Sequence, residues 1–357
     1  MHLDSLDYVL PPELVAQQPL AERDGARLLV LDAVSGGVSH RRVRDLPSLL
    51  SPSLLVLNDT KVIPARLFGK KPTGGRVELL LVEPLVGGPS PDGHPNDSAT
   101  TARWLAKGRA SKGLAPGTQV QLAPDFHAEV IAVREGGMVE VELRAEGGVA
   151  QAIGQAGHIP LPPYIRRGAE AFDRDRYQTV FADKEGAIAA PTAGLHLTHE
   201  LLGALLAAGH RIAKVTLHVG PGTFAPIKAE TLGEHPMHEE RYEVPEQTAQ
   251  ALRDAKGDGM PVVAVGTTVV RTLEAAAGED GEITAGPGST RLCIYPPYRF
   301  RVVDGLFTNF HLPRSTLLAL VMALGGEGAV RCAYAEAVRE RYRFFSYGDA
   351  MLIPPRV

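Results

Sequence analysis

Three short polar clusters concentrate the side chains able to do chemistry: Ala190-Pro-Thr-Ala-Gly-Leu-His196, His218-Val-Gly-Pro-Gly-Thr-Phe224, and Gly266-Thr267-Thr268 followed by Arg271. Gly and Thr at a helix start present unpaired N–H groups and hydroxyls, a suitable cradle for a carboxylate or phosphate. One such cluster reads as an ordinary turn or cap; three at equivalent strand ends point to a ligand site. Pro191, Thr192, Gly194, Gly220, Gly222, Thr223, Thr267, Thr268 and Arg271 are the candidate substrate contacts. Glu234-His-Pro-Met-His-Glu-Glu240 adds His235 and His238 with carboxylates beside them. Such a group could hold zinc or iron. Pro236 opposes a helix presenting both rings on one face, so hydrogen bonding to substrate is preferred and no metal is expected.

These clusters need a scaffold. Arg27–Asp32 and Ser53–Asn58 are continuously apolar, as strands covered on both faces tend to be. From Val62 to about Leu143 short strand-like pieces alternate with Gly and Pro clusters, the pattern of a small β-barrel. Residues 87–102 read as a long mobile hairpin loop. After Gln178 strands and helices alternate: a helix within His196–Gly209 capped by Thr198, a strand Arg211–His218, and a helix Pro245–Lys256. A strand at Met260–Gly266, a helix at Val269–Ala277, a hairpin at Arg299–His311 turning on Asp304-Gly305, and an apolar helix at Ser315–Leu324 follow. The expected fold is α/β: a mixed-sheet domain of residues 1–58 and 151–357, with a β-barrel-like domain of residues 59–150 inserted. Ligands of such sheets sit beyond the carboxyl ends of the strands.

Composition narrows the function classes. No apolar run approaches a membrane span, and the N-terminus lacks a basic-then-apolar leader, so a cytoplasmic location without membrane contact is expected. Cys293 and Cys332 are too distant in sequence for a Cys-x-x-Cys motif and read as buried small hydrophobes. A P-loop, a complete dinucleotide fingerprint and an iron–sulfur cysteine triplet are all missing. The formal net charge is −4, yet residues 59–114 hold nine Lys and Arg against five Asp and Glu. A basic region in an acidic chain is either a solvated face or a nucleic-acid surface.

Longer stretches resemble one family. Asn58-Asp-Thr-Lys-Val-Ile-Pro-Ala-Arg66, Arg109-Ala-Ser-Lys112, Gly157–Ile165, Ala189–His196 and Thr216–Gly220 are similar, in order, to the S-adenosylmethionine:tRNA ribosyltransferase-isomerases of queuosine biosynthesis. So are His235-Pro-Met-His238, Ala264–Thr268 with Arg271, Thr308-Asn-Phe-His-Leu-Pro313 and Phe344–Ala350. Asp59, where many relatives carry Asn, and Pro221, where Ala is common, depart from the pattern. The resemblance implies transfer of the ribosyl part of S-adenosylmethionine to 7-aminomethyl-7-deazaguanine at the tRNA wobble position. Isomerisation to epoxyqueuosine-tRNA then releases adenine and methionine. It implies no cofactor, S-adenosylmethionine being consumed; a monomer is expected.

Such chemistry needs a base for a proton beside the sulfonium, and histidine is best poised for proton transfer near neutral pH. The resemblance makes His196, His218, His235, His238 and His311 the pool, His218 foremost, with Asp59, Glu240 and Asp349 to hold an amine or ribose hydroxyls. Asn309 joins the substrate contacts, and Arg66, Arg109 and Lys112 the tRNA contacts. A metal-dependent hydrolase using His235 and His238, and a non-catalytic tRNA-binding protein, are the rival readings. The two substrates are expected to meet at the domain junction, where the chain leaves after Asn58 and returns near Gly157.

Overall fold

The computed structural model describes residues 1–86, 99–220, 227 and 229–356. The strands, in chain order, begin with β1 (Arg27–Leu31), β2 (Val38–Arg42), β3 (Leu54–Asn58), β4 (Thr60–Val62), β5 (Arg66–Lys70) and β6 (Arg76–Val86). Next come β7 (Thr101–Ala110), β8 (Gln119–Ala123), β9 (Phe126–Val133), β10 (Met138–Ala145), β11 (Lys184–Ala187) and β12 (Arg211–Leu217). The last are β13 (Glu240–Val244), β14 (Val262–Val265), β15 (Gly286–Thr290), β16 (Gly305–Asn309) and β17 (Ala350–Ile353). The helices are α1 (Leu46–Leu49), α2 (Val149–Ala156), α3 (Asp173–Arg176) and α4 (His199–Ala207). They continue with α5 (Glu246–Gly257), α6 (Thr267–Ala276), α7 (Thr316–Gly325) and α8 (Glu327–Arg339).

Among the described residues, nine strands form a mixed sheet in the order β15-β13-β12-β3-β14-β16-β17-β1-β2. Its centre, β12-β3-β14-β16, is parallel, so the carboxyl ends of these four strands emerge on one edge. Alternation puts Leu54 and Val56 in one core, under α5 to α8, and Leu55 and Leu57 in the other, with α1 and α4. Two buried faces explain why β3 has no polar alternation. Six antiparallel strands, β10-β7-β6-β5-β8-β9, close into a barrel around Leu67, Leu79, Trp104 and Val141. The fold is thus a mixed α/β sheet with a barrel inserted between β3 and the later strands. β4 pairs instead with β11, while Val149 and Ile153 of α2 complete the barrel core.

Local signals were largely sound. Thr198 Oγ1 accepts from Leu201 N at the start of α4, and Ser315 Oγ caps α7 likewise. The expected hairpin at Asp304-Gly305 is not formed. Gly305 opens β16, parallel to β14, and a Cβ there would lie 2.8 Å from Pro355 Cδ. The glycine serves close packing, and the Asp304 carboxylate accepts from Val262 N at 2.8 Å. Cys332 is exposed and Cys293 half-buried, because α8 turns Cys332 outward. The loop expected at 87–102 falls outside the described residues up to 98, and Thr101 already belongs to β7. Among the described residues no single helix is long and apolar enough to cross a membrane; α7 and α8 together would be, but they meet at 116°.

The chain returns from the barrel beside its exit. A Cβ on Gly157 would lie 1.9 Å from the Pro64 carbonyl oxygen, so the two crossing strands of chain touch backbone to backbone. Gly157→Ala is expected to cost about 1–3 kcal/mol through overpacking, seen as a lower urea midpoint at unchanged slope.

Candidate active site

A cleft opens where the parallel strands end. It is lined by Ala189–Ala193, Val219, Gly266–Thr268, Thr308–Leu312, Ser315, Leu317, Tyr164, Phe345 and Ser346. All three strand-end clusters reach it, although they are separated by tens of residues in sequence. Pro191, Thr192, Thr267, Thr268, Asn309 and His311 line it directly. Gly266, at φ +96°, turns the chain out of β14 into α6, whose N-terminus faces the cleft. Among the described residues the lining contains no Asp, Glu, Lys or Arg. Its polarity comes from hydroxyls, amides and one imidazole.

Asn58 ties the clusters together. Its buried amide oxygen accepts from Thr60 N and Leu217 N, both at 3.1 Å. Its Nδ2 donates to Leu217 O at 3.0 Å and to Thr268 Oγ1 at 3.3 Å. Next to it, the buried Asp59 carboxylate accepts from Thr216 Oγ1 at 2.7 Å, and the Asp59 carbonyl accepts from Asp183 N and Lys184 N. Burial holds the Asp59 pKa above the usual carboxylate value. Asp59 is therefore a latch between β12 and the barrel exit, outside the cleft lining.

His218 stands beside Val219, its Nδ1 2.8 Å from Thr60 Oγ1. The ring lies against Gly186, where a Cβ would come within 2.9 Å of Cε1. Burial lowers its pKa, which favours the neutral ring near pH 7. His311 lines the cleft with Nε2 2.9 Å from Thr308 Oγ1, and burial pushes its pKa down to about 3. His196 sits behind the wall, buried, its pKa lowered to about 4 by burial. Its Nε2 is 3.1 Å from Asn309 Nδ2, which also donates to Phe345 O at 3.1 Å. With Nδ2 so occupied, Asn309 Oδ1 is left with no partner among the described residues. His196 therefore holds a cleft amide instead of lining the cleft.

Several expected contacts lie elsewhere. Arg271, expected to receive a carboxylate, is buried in an ion pair with Glu240 and donates to Leu292 O at 3.1 Å. Asp349 is a buried clamp accepting from Arg27 N at 2.9 Å and Arg343 N at 2.8 Å, its pKa raised by burial. Gly194 packs under Phe181 and Thr179, where a Cβ would have only 2.9 Å. Gly220 lies beyond the lining residue Val219, and Gly222 and Thr223 fall outside the described residues. His238 is exposed and His235 half-buried, in an extended segment outside the lining. Among the described residues no three His, Cys, Asp or Glu side chains come together to hold a metal, so that loop lacks a third ligand.

Sequence reasoning missed Tyr164, Phe345 and Ser346. The Tyr164 hydroxyl is 2.6 Å from Ser346 Oγ, and its ring is 4.8 Å from that of Phe345. Burial raises the Tyr164 pKa to about 12, keeping the phenol neutral. Its signal was an aromatic in a proline-rich segment.

Fold and cleft together define an α/β enzyme-like protein with its site at the carboxyl ends of parallel strands. Residues 3–353 match the family described as queuosine biosynthesis protein. S-adenosylmethionine:tRNA ribosyltransferase-isomerases of Sorangium cellulosum and Anaeromyxobacter dehalogenans are 52% and 53% identical to it. Those alignments cover 99% of this chain and 98% and 99% of the relatives. A crystal structure of the S-adenosylmethionine tRNA ribosyltransferase of Thermotoga maritima is similar at TM-score 0.54 and 37% identity, covering 98% of this chain and 99% of that one. The chain belongs to the queuosine biosynthesis protein family.

The buried histidines make stability pH-dependent. Unfolded His196 binds a proton near pH 6.5, whereas folded His196 does so only near about 4. Between those values the unfolded state holds more protons, so stability falls as pH falls. Relative to His196→Asn, the wild type should lose up to about 1.4 kcal/mol per pH unit below pH 6.5. Parallel urea-denaturation curves for the two proteins from pH 7 to 4.5 would refute this.

Proposed function

We propose that this chain transfers and isomerises the ribosyl group of S-adenosylmethionine onto 7-aminomethyl-7-deazaguanine at the wobble position of a tRNA, releasing adenine and methionine. The observation that carries the reading is the meeting of the three strand-end clusters in one cleft, in a chain of this family. S-adenosylmethionine is assigned to the cleft. Its apolar and aromatic walls suit a purine, and its hydroxyls and amides suit a ribose. The methionine carboxylate is assigned to the N-terminal amides of α6, since Arg271 is already neutralised by Glu240. His218 is assigned to proton transfer, supported by its neutral ring at the cleft edge. Arg66, Arg109 and Lys112 on the barrel side are assigned to tRNA phosphates. Arg109 and Lys112 are exposed, while Arg66 also donates to Leu161 O at 3.4 Å. The reading includes a monomeric cytoplasmic enzyme without metal or cofactor.

Adenine release from S-adenosylmethionine in the presence of precursor tRNA tests the reaction. Turnover should persist in excess EDTA; loss restored by one metal would overturn cofactor independence. His218→Ala should lower turnover by roughly 10²-fold or more with tRNA affinity little changed. A variant with near wild-type single-turnover rates would remove His218 from the chemistry.

A further inference from the structure

The outer face of the barrel carries more than charge. Pairing aligns Arg66 with Leu80 and Lys107, Phe68 with Glu78 and Arg109, and Lys70 with Arg76 across β5, β6 and β7. Paired residues point to the same side of a sheet, and the alternate positions Leu67, Val77, Leu79 and Ala106 fill the barrel core. The outward rows thus present five cations and one carboxylate. Glu78 faces Arg66, with Nε to Oε1 at 3.6 Å. Lys70, Arg76, Lys107 and Arg109 are exposed and have no carboxylate partner among the described residues.

In the middle of this face stands Phe68, 50% exposed. A half-exposed apolar residue alone is ordinary; this one is an aromatic ring set among unpaired cations. Among the described residues its one ring partner is the exposed His158, edge-on at 5.3 Å between centroids. His158 is fixed by backbone pairing to Arg66, His158 N to Arg66 O at 2.9 Å and Arg66 N to His158 O at 3.1 Å. From His158 the chain runs six residues on to Tyr164, whose ring lines the cleft. The aromatic face and the cleft are therefore two ends of one short segment.

We infer that Phe68, braced by His158, is a stacking platform for an unpaired base of the substrate RNA, beside the base held in the cleft. This rests on the tRNA reading and adds the part of the RNA that is gripped. Cations flanking an exposed ring match single-stranded RNA, whose bases stack on aromatics while its phosphates meet Lys and Arg. A duplex offers no open base face to Phe68. The platform thus selects a loop.

The experiment is a fluorescence titration of an anticodon stem-loop, and of a blunt RNA duplex of equal length, at several salt concentrations. Phe68→Ala should weaken the stem-loop by about 10-fold or more. It should leave the slope of log Kd against log salt unchanged and the duplex affinity as in the wild type. Phe68→Trp should restore binding. Lys107→Ala with Arg109→Ala should instead flatten the slope by roughly 0.7 for each phosphate no longer neutralised. Equal stem-loop affinities for Phe68→Ala and the wild type would overturn the platform, while a flattened slope in the double variant kept the basic face. An unchanged slope in the double variant as well would overturn the RNA surface altogether. Because Phe68 is exposed, an unchanged melting temperature in Phe68→Ala separates binding from folding.

Discussion

One buried amide governs the site. Asn58 ends β3 where the chain leaves for the barrel, and its side chain satisfies both Leu217 backbone groups, Thr60 N and Thr268 Oγ1. An unsatisfied buried polar group costs about 1–3 kcal/mol, so this amide has little freedom to turn. Its four bonds set three things at once: the end of β12, the first turn of α6 and the path into β4. His218 and Val219 follow directly from Leu217, and Thr60 in turn meets His218. The cleft edge inherits its geometry from this one residue.

The cleft walls work on a different principle. Neutral groups line the cleft, and the buried histidines around it are held neutral by burial, down to about 4 for His196 and about 3 for His311. Among the described residues the lining itself carries no Lys or Arg. The outer face of the barrel, by contrast, presents a row of cations, which phosphates rather than the reacting centre would use. Separating the two kinds of surface reconciles the chain's mild net negative charge with a nucleic-acid substrate.

Much of this could be read from residue order alone. The apolar runs at β1 and β3, the Gly-punctuated strands of the barrel and the caps Thr198 and Ser315 are local properties, because propensity and period act over a few residues. The family motifs contained Thr192, Thr267, Thr268, Asn309 and His311 of the cleft lining, and their position after strands anticipated a shared edge. Local reading failed at Asp304-Gly305, where the glycine answers to Pro355, far along the chain. It also missed α8 and β2, which lack a decisive boundary signal.

The sequence by itself determined most of the element types, the inserted barrel, the family and the set of side chains from which a site could be built. Only the tertiary structure decided which of those side chains line the cleft and which pack behind it. Nothing in the type of Arg271, Asp349 or Asp59 tells that they pack against Glu240, against two backbone amides and against Thr216, outside the cleft lining. Conversely Tyr164, Phe345 and Phe68 look like core residues by type, and only the packed chain puts Tyr164 and Phe345 along the cleft and leaves Phe68 half in solvent. Charge and hydrophobicity are properties of a residue; partnership and exposure belong to the packed chain.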